Sequence, residues 1–192
     1  MNMILNPFIS FPSGGGPADT GWLSTGNVSD NSDEGNSWSN LSNVENATID
    51  NTSVASCMNI GRGDYTNSLN CTQFNASVPS GATITGVEFR QKSKANNSND
   101  MVRNRTYILQ ASVKSGTGDG VFGGGMTSTL TTYESGSSSS MHGTTLIAGD
   151  GSASNDVNHT GFGMWLRWED DGSGSNDDTY LAVAQLKIHY TT

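Results

Sequence analysis

The 192-residue sequence predicts an all-β protein: a single antiparallel β-sandwich, jelly-roll-like, preceded by an extended N-terminal arm. Three observations carry that expectation. The first is composition. Charged residues make up only 14% of the chain, so its polarity comes from Ser, Thr, Asn and 24 Gly. Gly, Asn and Ser are poor inside helices, whereas Thr, Val, Ile and aromatics suit a pleated surface. The second is a period-2 alternation of apolar and polar residues in four separate segments, which places one face of each against a core. The third is the spacing of Gly/Asn/Asp/Ser clusters between those segments, where turns join antiparallel neighbours.

Residues 1–20 read as the arm. Pro7, Pro12 and Pro17 remove backbone donors, and Gly14-Gly-Gly resists regular structure. Its apolar residues Ile4, Leu5, Phe8, Ile9 and Phe11 need cover, from the arm's own domain or from another chain. The sandwich domain then spans residues 21–192, with short strands expected around Trp22 to Val28 and Ala47 to Val54. In the first strong segment Thr85, Val87, Phe89 and Gln91 alternate with Gly86, Glu88, Arg90 and Lys92. In the second, Tyr107, Leu109, Ala111 and Val113 form the apolar set. In the third it is Phe162, Met164, Leu166 and Trp168, and in the last Leu186, Ile188 and Tyr190. Loops are expected at Lys94 to Asp100, Ser115 to Gly125, Gly136 to Gly143, Gly149 to Asp156 and Asp170 to Asp178. Seven to nine strands joined this way form a sandwich rather than an α/β arrangement.

Nine basic against eighteen acidic residues leave a formal charge of -9, which argues against nucleic acid and anionic lipid as partners. No stretch approaches the length of an apolar membrane span, and the N-terminus lacks a basic region followed by an apolar one. Cys57 and Cys71 could form one bridge if they lie opposite each other on neighbouring strands, which spacing alone does not establish; with no evident secretion signal, free thiols are the expectation. The Asn-x-Ser/Thr tripeptides, Asn27-Val-Ser among them, follow from a composition rich in those residues.

Enzyme signatures are missing. His142, His159 and His189 are scattered, and no Gly-x-Ser-x-Gly, His-Glu-x-x-His or phosphate-cradling motif is present. The expectation is therefore a non-enzyme without cofactor or metal. The acids from Asp170 to Asp178 could bind calcium, but they lack the alternation of an EF-hand loop and read as a solvated hairpin. Arg62-Gly63-Asp64 reads as a turn in which Gly63 supplies a positive φ. Trp165 is placed on the outward face by the inward set around it, as a partner-binding residue or as a platform for a host glycan.

Three segments bear on identity. Phe74-Asn-Ala-Ser-Val-Pro-Ser-Gly-Ala-Thr-Ile-Thr-Gly-Val-Glu-Phe turns the chain at Pro79 and Gly81 into a strand. The second comprises His142-Gly143 and then Ala153-Ser-Asn-Asp-Val-Asn-His-Thr-Gly-Phe-Gly-Met-Trp-Leu-Arg, and the third is the ending Ala184-Gln-Leu-Lys-Ile-His-Tyr-Thr. In this order they resemble a β-sandwich module of tailed-bacteriophage structural proteins, over roughly residues 45 to 192. His142 stands where that module usually has Trp, and Val121 to Tyr133 is richer in Gly and Thr than its pattern. The resemblance implies a virion component that acts through protein–protein contacts. Capsid decoration is the first expectation and a tail or fibre accessory role the alternative. It implies a major capsid or other virion protein as partner, and a homo-oligomer, a trimer before other states. A carbohydrate-binding module is the reading from a different class.

Overall fold

The computed structural model describes residues 15–33, 35–97, 100–119, 125–172 and 176–192, with the side chains of 103–105 and 119 left out. It is a two-sheet antiparallel β-sandwich, as the alternation predicts. The strands are β1 (Pro17–Asp19), β2 (Leu23–Ser24), β3 (Asn27–Asp30), β4 (Trp38–Ser39), β5 (Ala55–Ile60), β6 (Leu69–Thr72), β7 (Thr83–Ala95), β8 (Met101–Gln110), β9 (Val113–Asp119), β10 (Thr131–Gly136), β11 (Gly163–Asp170) and β12 (Asp177–Thr191). One sheet runs β10-β7-β12-β5-β4, with β1 and β2 also on β12; the other runs β3-β6-β11-β8-β9. The jelly-roll connectivity is not confirmed by this strand order.

The C-terminal strand β12 is the spine of the larger sheet. One side of it pairs with β7 from Thr179↔Ala95 to Thr191↔Thr83, and the other side is shared in turn by β5, β2 and β1. Among the described residues, sheet pairing begins at Pro17, inside the stretch read as arm; Ala18 lies opposite Tyr190. A proline is tolerated there because an edge strand can leave a donor position empty.

Between the sheets, Phe89, Leu181, Leu186 and Ile188 meet Ile108, Met164, Leu166 and Trp168, all fully buried. Trp38 packs on Trp168 with ring centroids 5.2 Å apart and donates its indole N–H to Asn67 O at 3.0 Å. The inward sets expected for the third and fourth segments are those observed, with Tyr190 at the core's margin.

Five expectations need correction. In β8 it is Thr106 and Ile108 that face the core, while Tyr107 and Leu109 point out of the sandwich. The second apolar set ends because Ala111 and Ser112 form a two-residue hairpin turn to β9, leaving Val113 67% exposed. Ile108 was the competing apolar residue, and its pairing opposite Met164 decides the face. Ser115 to Asp119 is strand rather than loop, since hairpin pairing to β8 overrides its composition. Lys94 is strand too: β7 reaches Ala95 against β12, burying Gln91 and Ser93. Ala47 to Val54 is not a strand; β5 begins at Ala55, and the strand expected at Trp22 to Val28 splits into β2 and β3 in different sheets.

Candidate functional site

The first two segments that carry the resemblance meet in one knot of hydrogen bonds. Gly81, at φ 84°, closes the turn with Ala82 N–H donating to Pro79 O at 3.0 Å. Gly81 N–H also donates to Ala148 O at 2.8 Å. Asn158 accepts from Val78 N–H at 3.0 Å and donates back to Val78 O at 2.9 Å and to Gly149 O at 3.0 Å. Asp156, 1% exposed, accepts the backbone N–H groups of Gly149, Gly151 and Asn158 at 3.1, 2.7 and 2.9 Å. Such a carboxylate fixes loop geometry, because every buried donor around it is satisfied. His142 is buried too, its ring 4.7 Å from that of Phe89 and its Nε2 2.8 Å from Val87 O. It occupies a packing position.

The outer face of the five-stranded sheet holds the most open chemistry. Trp165 projects from β11 on that face, as expected, but it is only 5% exposed. Its neighbours cover it. Tyr107, opposite it on β8, meets it edge-on at 5.4 Å. Lys114 Nζ lies 4.6 Å from its ring centre and the Arg167 guanidinium 5.4 Å. The same cations lie over Tyr107 at 4.8 Å and Tyr65 at 4.4 Å, giving a ladder of alternating rings and charges. Beside it opens a cleft of about 520 Å³ lined by Asn31, Asp33, Ser68, Asn70, Ser112, Val113, Lys114, Trp165 and Arg167. Of the two readings of Trp165, the glycan platform is the one this geometry disfavours, because its ring is covered by charged and aromatic neighbours. Trp168 is wholly inside. Alternation alone places Trp165 and Arg167 on one face; Lys114 and Asn31 come from distant segments that no local pattern links to them.

Ile4, Leu5, Phe8, Ile9 and Phe11 lie outside the described residues. Cys57 and Cys71 are free and buried, one in each sheet. Burial, with Asp30 and Asp178 adding repulsion, pushes the Cys57 thiol up to about 12, and burial drives Cys71 up further. His189 and Lys187 share Glu88 at 2.5 and 3.2 Å on the outer face of the larger sheet. His159 accepts Gly161 N–H at 2.8 Å. Gly63 has φ 78°, and its N–H donates to Asp170 O at 2.7 Å, so Arg62-Gly63-Asp64 is a turn closed on the end of β11.

The acids from Asp170 to Asp178 do not converge. Asp170 accepts from Gly172 N–H at 2.9 Å, Asp178 accepts from Asn59 N–H at 2.9 Å, and Asp177 accepts from the Asn97 side chain. Among the described residues no three His, Cys, Asp or Glu side chains come together to hold a metal ion. Compared with protein families, with curated proteins and with solved structures, the chain has no match.

Proposed function

We propose that this chain is a structural protein of a tailed-bacteriophage virion, a capsid decoration protein that acts through contacts with the major capsid protein and with copies of itself as a homo-oligomer, a trimer. The observation that carries the reading is the meeting of the resemblance-bearing segments. The turn at Pro79 and Gly81 is tied through Val78 to Asn158, whose own N–H is held by Asp156, and the strand it launches runs beside the terminal strand along nearly its whole length. The motif residues therefore belong to the scaffold, leaving loops and edges for partners. A formal charge of -9 supports solubility in a many-copy surface protein. Attachment at the tail or fibre uses the same scaffold and is the alternative site on the particle. The glycan-platform reading loses its main support with the covering of Trp165.

The test combines light scattering with particle binding. The purified protein is expected to be oligomeric, and to bind tailed-phage particles stripped of it in saturable, stoichiometric numbers. A monomer that ignores such particles would overturn the proposal.

A further inference from the structure

We propose that the cleft on the outer face of the five-stranded sheet binds a carboxylate-bearing saccharide, with Lys114 and Arg167 receiving the carboxylate. The inference does not depend on where the protein sits in a particle. Its starting point is charge. On the larger sheet Arg90 is paired with Glu134 at 2.6 Å and Lys187 with Glu88 at 3.2 Å. Lys114 and Arg167 have no such partner among the described residues, and the Arg167 Nε is buried without a hydrogen bond. Two cations held by rings and outside any ion pair among the described residues, in a chain of net charge -9, make a local site for an anion.

The rest of the cleft narrows the class of anion. A neutral sugar needs an open aromatic face to stack on, and the Trp165 ring is covered. A protein partner needs apolar or aromatic anchors at its centre, and the cleft offers only the exposed Val113. What remains is neutral hydrogen-bonding groups already locked in place. The Asn31 amide donates to Ser68 Oγ at 2.8 Å and Asn70 Oδ1 at 3.0 Å, and Asn70 reaches Ser112 O at 3.4 Å. Such groups meet hydroxyls with little ordering cost. Asp33, on the same cleft, accepts from Ser68 N–H and Oγ–H through its two carboxylate oxygens and supplies acceptors for further hydroxyls. The rim is strained as well: Ala111 and Ser112 carry φ of 48° and 65°, a conformation that non-glycine residues rarely hold.

Calorimetric titration of the full chain tests this, with trigalacturonic acid and 3′-sialyllactose as probes, maltotriose as the neutral control and hexaglutamate as the peptide control. Binding of at least one acidic saccharide at millimolar concentration is expected, with none of maltotriose. Lys114→Gln and Arg167→Gln should each weaken it by about tenfold or more, and added NaCl should weaken it further. Lys114 lies on an edge strand, so its variant keeps the test decisive if Arg167→Gln fails to fold. Silence with both acidic saccharides, binding that survives the Lys114 substitution, or binding of hexaglutamate alone would each overturn the proposal.

Discussion

At the scale of single residues, the polar side chains with the largest structural roles are those that satisfy backbone donors out of reach of water. Asp156 holds three of them. Asp156→Ala should lower stability by about 3 kcal/mol in urea unfolding, because three donors lose a charged acceptor at once. Asp150→Ala, on the exposed part of the same loop, should lower the midpoint far less, because its hydrogen bonds to Ser152 are made at the solvent-exposed surface. Asp177 presents the opposite case. Its side chain is 1% exposed and its Oδ2 has no partner. Burial raises its pKa, the Asn97 hydrogen bond lowers it, and Asp170, Asp100 and Asp178 raise it further for a net upward shift. A carboxyl with a raised folded-state pKa favours folding at pH below the ordinary range, about 4, and that contribution is lost as pH climbs through the folded value. Asp177→Asn should therefore raise the melting temperature at pH 7, with the gain shrinking toward pH 4.

At the scale of elements, the β8–β9 hairpin departs furthest from local preference. A two-residue turn with φ positive at both positions favours Asn-Gly, and here it is Ala111-Ser112. Tertiary packing holds it, since Ser112 N–H donates to Gly161 O at 2.7 Å, and a Cβ on Gly161 would stand 2.9 Å from Ala111 C. Replacing the pair with Asn-Gly should stabilise the protein by about 1 kcal/mol, read as a rise in melting temperature, because the left-handed strain is relieved. The hairpin also explains why alternation failed in β8. Tyr107, Ile108 and Leu109 are three consecutive apolar residues, and period-2 logic cannot choose a face for such a run. The register Met164↔Ile108 chooses it.

At the scale of the whole molecule, the first described strand begins at Pro17, directly after the apolar arm sequence. In the proposed assembly, with the apolar residues Ile4, Leu5, Phe8, Ile9 and Phe11 as docking elements, removing residues 1–14 should abolish oligomerisation by light scattering. An oligomer that persists in the truncated chain would move the interface to the sandwich itself. The division between what was legible and what was not follows the range of the interactions. Sequence by itself determined the class of fold, the core faces of β11 and of β12 from Leu186 onward, the turns at Gly63 and Gly81 and the outward direction of Trp165. Each of these is local, set by a two-residue period or by a glycine's freedom at positive φ. Tertiary structure alone decided which face of β8 is buried, that Ser115 to Asp119 pairs as a strand, that Trp165 is covered, and that Lys114, Arg167 and Asn31 share one cleft. Those outcomes depend on partners far apart in the chain, and pairing register and packing across two sheets are not encoded in any short window.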